Sequence, residues 1–416
     1  MQNNKNVSNE SNVSNDLNIQ NETLVNSHFS KKYYVFLMIF LGMMSAFGPF
    51  ITDMYLPALP SMVNDFSTTE SLVQLTLTMG MIGLAVGQIF FGPISQKWGR
   101  RPVLLVSMLC FIVGAVSCVF TTDIYAFLAC RLVQGIGGAG GIVLSRSIAT
   151  DCYTGRRLAT TMAIIGGING IAPAFAPVVG GLLANQIGWQ GIFWTLTALG
   201  VILFVMTLSY RETLAPAQRA KGSILSTFTD YAKILKNGRF NALVMAYGLT
   251  MGLLFAYVSS APFVIQQKFG FNEIAFAIIF GVNSALIGVG SGVALRFKKL
   301  EKGILCAAVC ALIVAVAQLA LVMTNNTFVT YEITSAVLLF LVGIGITSST
   351  SLAMDEGREY TGAAAAIVGA IGFVFGGVVS PLVGYGDIQT TTAILLIIIA
   401  ILLTATSYSI YRKVKG

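Results

Sequence analysis

Twelve long apolar segments, separated mostly by short polar connections, limit what this chain can fold into. They run from about 33 to 62, 71 to 95, 102 to 121, 124 to 149, 160 to 184, 188 to 210, 239 to 265, 273 to 296, 303 to 323, 331 to 353, 361 to 385 and 389 to 411. Crossing a hydrocarbon layer takes about 20 helical residues at 1.5 Å each, so every segment can span a bilayer. Charged residues make up only 10% of the 416 and apolar ones 55%. Soluble chains carry about 25% charge, and this one has too little to cover a water-exposed surface of its size. The sequence predicts an all-α membrane protein of twelve transmembrane helices.

The net charge of +8 does not indicate nucleic acid, because the basic residues lie between apolar segments. Lys97, Arg100 and Arg101 follow span two, and Arg156 and Arg157 follow span four. Arg219, Lys221, Lys233, Lys236 and Arg239 fill the central connection, Arg296, Lys298, Lys299 and Lys302 follow span eight, and Arg412, Lys413 and Lys415 end the chain. The alternate connections hold Lys268 alone. Retained positive charge marks the cytoplasmic side, so both termini are expected there. Residues 1–30 read as a flexible cytoplasmic tail, 31–210 and 239–411 as six-helix bundles, 211–238 as a cytoplasmic linker and 412–416 as a short tail. No cleavable signal peptide is expected ahead of the first span, which reads as a permanent anchor.

Cys110, Cys118, Cys130, Cys152, Cys306 and Cys310 lie mostly inside apolar runs and read as packing residues. The single histidine, His28, sits in the polar tail, which leaves no histidine-based metal or catalytic centre among the spans. No nucleophile and base constellation stands out, so an enzyme is not expected. Span four carries Gly135, Gly137, Gly138, Gly140 and Gly141; span five carries Gly170, Pro173, Pro177, Gly180 and Gly181. With no strand before the span-four glycines, these residues read as helix contacts and bends rather than a phosphate cradle.

Two charges interrupt the apolar runs. Asp53 lies roughly 14 Å, and Arg131 roughly 12 Å, inside the same end of spans one and four, at 1.5 Å per residue. An isolated charge at such depth is costly, so each needs water or a partner. Burial favours the neutral acid and a neighbouring cation favours the carboxylate, which makes Asp53 the candidate proton carrier and Arg131 its fixed counter-charge. A permanent clamp between the two helices is the competing reading. Gln134 and Asn169 are further polar candidates. Tyr55, Met79, Met81, Phe175, Tyr247, Phe255 and Tyr257 could supply an aromatic and sulfur-rich substrate wall.

Three segments together resemble bacterial drug/proton antiporters of the major facilitator superfamily, in the bicyclomycin and chloramphenicol resistance branch. Gly92-Pro-Ile-Ser-Gln-Lys-Trp-Gly-Arg-Arg-Pro-Val103 resembles the loop between helices two and three, where Gly92, Gln96, Lys97, Gly99, Arg100 and Arg101 would form a cytoplasmic gate. Gln96 stands where the family pattern has aspartate, which implies a weaker latch. Arg131-Leu-Val-Gln-Gly-Ile-Gly-Gly-Ala139, with Gly135 and Gly138, resembles the helix-four pattern whose arginine serves proton coupling. The run from Gly170 to Gly181 resembles the antiporter motif of helix five.

The resemblance implies two pseudo-symmetric six-helix bundles and alternating access. It further implies export of small apolar or amphipathic drugs from the bacterial cytoplasm, with the proton as coupling ion and neither cofactor nor metal. A monomer in contact with membrane phospholipids is expected. A proton-coupled metabolite transporter and a non-transporting sensor or scaffold are the alternatives.

Overall fold

The computed structural model describes residues 31–153, 155–216, 219, 224–324 and 326–415; within these, the side chains of 31, 155–157, 159, 160, 162, 163, 166, 167, 169, 170, 224–228, 361 and 413–415 lie outside the description. Spans two to four are Glu70–Trp98, Arg100–Phe120 and Ile124–Cys152. Helix Gly155–Ser209 forms spans five and six, and Ile224–Ile234 is a linker helix. Spans seven to twelve are Gly238–Phe263, Glu273–Ala294, Leu300–Thr324, Phe328–Glu356, Thr361–Val383 and Ile388–Lys415. Eleven helices among the described residues are long and apolar enough to cross a membrane. The twelfth span appears where the longest helix is divided at Gly188, whose φ of 67° and ψ of −176° break the helical path. A positive φ is readily available to glycine, so the chain reverses there at little cost.

Span one is segmented rather than continuous. Helices Lys31–Ser45 and Phe47–Asp53 precede a 3-10 turn, Leu56–Ala58, and a last helix, Leu59–Asp65. Pro57 and Pro60 explain the interruption: neither has the N–H that an unbroken helix would direct at the carbonyls of Asp53 and Leu56. Asp53 therefore closes a helical segment instead of lying within one.

The two halves repeat one packing scheme. Span two lies on four, three on four and six, and one on five; eight lies on ten, nine on ten and twelve, and seven on eleven. Adding six to each number of the first set gives the second, as expected for two pseudo-symmetric bundles. Glycines make the closest crossings in both. Gly135 meets the Gly80–Gly83 segment of span two, and Gly343 meets the Ile287–Gly290 segment of span eight. Lipid is as apolar as leucine, so such helices associate through close packing rather than through a hydrophobic drive. Outward, span three presents Val106, Leu109, Val113 and Phe120, all exposed at helical spacing.

Between the bundles, span two packs on eleven and five on eight. At the face opposite the linker these seams are closed. Ser71 donates to the Pro381 carbonyl at 3.4 Å, Thr78 to Gly377 at 3.0 Å and Ser380 to Gln74 at 3.3 Å. Gln266, at the end of span seven, donates to the Pro57 carbonyl at 3.0 Å, and Gly181 of span five lies against the Glu273 backbone of span eight.

Candidate functional site

Arg131 is completely buried among spans one, two, four and six. Its Nη2 donates to the Ile51 carbonyl at 2.9 Å and its Nε to the Thr76 carbonyl at 3.4 Å, while Nη1 donates to Gln134 Oε1. The guanidinium carbon stands 4.3 Å from the Tyr55 ring centroid and 5.5 Å from that of Phe193. Carbonyl dipoles and aromatic faces thus surround the cation. Gly80 permits this: a Cβ there would lie 2.8 Å from Nη2.

Asp53 is buried two residues beyond Ile51, the residue whose carbonyl holds Arg131. The two opposite charges therefore share a level of the bundle, yet no ion pair joins them among the described residues. Their connection runs through the span-one backbone. The carbonyl of Met54, next to Asp53, lies against Gly180 of span five, which has no room for a Cβ. Gly138 of span four receives the end of the Ile51 side chain. The span-one break thus rests on the two glycine-bearing helices singled out in the sequence. Pro173 and Pro177 lie within span five. The side-chain positions of Asn169 and Gly170 lie outside the described residues.

The other substrate candidates separate. Tyr55 is fully buried, its hydroxyl 3.2 Å from Thr76 Oγ1, and with Gln134 it belongs to the arginine's cage. Phe175 is 62% exposed, on a stripe with Ile164, Ile171 and Leu182. Tyr247 of span seven is half-buried and interacts electrostatically with Arg146 of span four, across the two bundles. Tyr257 is buried and its hydroxyl accepts from Asn283 Nδ2 at 2.7 Å. Arg146 was not singled out in the sequence, although its place 15 residues after Arg131, about four turns on at 3.6 residues each, was a signal for it.

At the linker face, the segment from Gly92 to Arg101 turns sharply at Gly99, whose φ is 100°. Here too glycine is required by both conformation and space, since a Cβ would meet Glu212 Oε2 at 2.6 Å. Gln96 is exposed and Lys97 half-buried. Arg100 makes a two-point contact with Asp151 at the end of span four, 2.8 Å from Nε and 3.2 Å from Nη2, and donates to Ser95 Oγ at 2.7 Å. Glu212, after span six, accepts the backbone N–H of both Arg100 and Arg101 at 3.0 Å, capping span three with a carboxylate where the helix end is positive. Arg101 reaches the Leu208 carbonyl at 2.7 Å. Acid is therefore supplied to this loop from spans four and six rather than from position 96. The second bundle has a counterpart in Arg239, 3.1 Å from Glu301 and 3.4 Å from Glu356. Among the described residues no group of three or more metal-ligating side chains occurs.

Comparison with known proteins adds to this geometry. A family model described as Major Facilitator Superfamily matches residues 35–381. The uncharacterized MFS-type transporter YdgK of Bacillus subtilis (strain 168) is 35% identical over 364 residues, covering 86% of this chain and 90% of its own. A chloramphenicol resistance protein of Pseudomonas aeruginosa is 29% identical over 344 residues, covering 80% and 78%. The crystal structure of a bacterial homologue of the human lysosomal transporter Spinster superposes with a TM-score of 0.73 at 15% identity, covering 92% of this chain and 98% of that one.

Proposed function

The chain belongs to the Major Facilitator Superfamily and is a membrane transporter rather than an enzyme, and from that premise we propose that it exports small apolar or amphipathic drugs in exchange for protons. Supporting this reading is a single juxtaposition: Arg131, fully buried, is held by the Ile51 carbonyl two residues from buried Asp53, at a break in span one. The linker face, rich in Lys and Arg, is taken as cytoplasmic. The closed seams then lie on the outer side, and the conformation is one that turns away from the exterior.

In the proposed cycle Asp53 takes a proton from the outside while the cavity faces outward, and substrate leaves. With Asp53 neutral, the bundles re-seat and the outer seams close. Substrate then binds from the cytoplasm, and Asp53 releases its proton inward. Arg131 remains charged throughout and favours the carboxylate when the proton must leave. Because Arg131 holds the span-one carbonyl of Ile51, two residues from Asp53, a change of charge at Asp53 acts directly on the helical break. Tyr247 and Arg146, near enough to interact electrostatically across the bundles, are the proposed substrate-facing pair.

The latch at Arg100 serves as the cytoplasmic gate in this scheme, with Asp151 in the role that position 96 does not fill. The resistance protein of Pseudomonas aeruginosa suggests chloramphenicol as a first probe. Proton and labelled chloramphenicol fluxes measured together in proteoliposomes test the proposal. Asp53→Asn is expected to insert normally and lose proton-driven accumulation, while Arg131→Ala is expected to leak protons without substrate. Normal coupled flux in Asp53→Asn would falsify its role as carrier.

A further inference from the structure

The second bundle contains a carboxylate that the coupling scheme above does not use. Glu332 lies one turn inside span ten, half-buried, with Oε2 fully covered and unpartnered. Around it, span eight contributes Asn283, which is completely buried. The Asn283 amide donates to the Tyr257 hydroxyl at 2.7 Å and lies near Glu332, while Asn283 Oδ1 has no partner. Tyr331 is buried with its hydroxyl beside Ser260 and Ser335, completing a bond to neither. Spans seven, eight and ten thus each bring buried oxygen atoms to this region, and Glu332 Oε2, Asn283 Oδ1, the Tyr331 hydroxyl and Ser335 Oγ have no hydrogen-bond partner there.

No lysine or arginine forms an ion pair with Glu332 among the described residues. At this end of the bundle, the charged residues of spans seven and eight are Lys268 and Glu273, and spans nine and eleven have none. Lys268 is 3.9 Å from Asp387. Buried oxygens with unused lone pairs are costly, and a carboxylate among them without a counter-charge more so. One added positive charge answers both needs. Tyr257, Asn283 and Tyr331 are covered to within 4% of complete burial, so the charge must be small.

We propose that Glu332, Asn283 and Tyr257 form a second proton-binding site, in the C-terminal bundle. The Glu332 carboxylate takes one proton from water to become a neutral acid. Its new O–H then donates to Asn283 Oδ1, while the Asn283 amide stays on the Tyr257 hydroxyl. No other bond changes. The site lies in the other half of the molecule from Asp53, and only its contribution to transport rests on the function proposed above.

Infrared difference spectra of the full-length protein in lipid vesicles, recorded as pH is cycled without substrate, read the protonated carboxyl directly. Wild type is expected to show a buried carboxyl band that is lost in Glu332→Gln and retained in Asp53→Asn. Asn283→Leu, which removes the acceptor of the new O–H, is expected to shift both the band position and the pH at which it appears. An unchanged spectrum in Glu332→Gln overturns the proposal. Displacement of the band by sodium at fixed pH also overturns it, by assigning the oxygens to a metal cation. Because no drug is present, failure here is distinguishable from failure of the export reading.

Discussion

A charged side chain inside a membrane helix is readable from sequence because it interrupts an apolar run, and Asp53 and Arg131 were found that way. The acids that hold the Arg100 loop were not. Asp151 and Glu212, which hold Arg100 and its helix end, are ordinary acids at span ends until the fold brings them over from 51 and 112 residues away. Glu332 and Arg146 escaped notice for the same reason, since they sit near the ends of spans where charge is unremarkable. Outside the spans, Asp387 shows what one capping acid does. It accepts from the Thr390 hydroxyl at 2.6 Å and the Thr390 amide at 2.9 Å, and these bonds, with Lys268 nearby, hold its carboxyl below the usual carboxylate range. A depressed folded value contributes stability above the unfolded value, near 3.9, and loses it as pH falls through the folded one. Asp387 is 59% exposed, so solvent limits the contribution to less than about 1 kcal/mol. Asp387→Ala should lower the melting midpoint at pH 7 by about 1–2 °C, and the difference from wild type should vanish in melts at the most acidic pH the fold tolerates. A constant difference across pH would remove the charge from the explanation.

Helix positions were legible because each span is a long apolar run with recognisable ends. Thr69, Asp123, Asn237, Asn272 and Thr327 all accept hydrogen bonds as N-caps. The boundary between spans five and six, expected near 184 to 188, falls at Gly188. Segmentation of span one was less legible, since Pro57 and Pro60 each permit a kink as readily as a break until the neighbours are known. Span five decides the matter by bringing Gly180 against the Met54 carbonyl. Replacing that glycine should therefore act on the break itself. Gly180→Leu is expected to cost about 1–3 kcal/mol through overpacking, read as a lower denaturation midpoint of the purified protein. Gly288→Leu, at a position where an added Cβ meets nothing within 4 Å, should leave the midpoint unchanged. Equal effects at the two sites would show that the crossing is not the source.

At the level of the whole molecule, the sequence located two halves and a long connection, and the fold repeats one set of helix contacts in each. Which faces meet was not legible, because the seam residues Ser71, Gln74, Thr78, Ser259 and Ser380 look like any other small polar residues of a membrane helix. Their bonds cross between the halves over separations of 185 to 310 positions. If the closed seam opens during transport, fixing it must stop flux. In a chain with its six native cysteines replaced, Ser71→Cys and Gly384→Cys should join on oxidation, because a Cβ at 384 lies 3.0 Å from that of 71 and slight relaxation brings the pair to disulfide spacing. Substrate flux should cease on oxidation and return with reductant. Flux that continues through the cross-linked form would mean that this seam does not move.

The linker is anchored at both ends, by Glu212 to the start of span three and by Asn237 and Arg239 to Glu356 and Glu301. Between those anchors, helix Ile224–Ile234 covers roughly 16 Å at 1.5 Å per residue. It rests on span two, where the Tyr231 hydroxyl donates to the Ile89 carbonyl at 3.4 Å, and on span eleven of the other half. The connection is therefore also a brace across the two halves, and any movement of one against the other has to free this helix from one of its two seats.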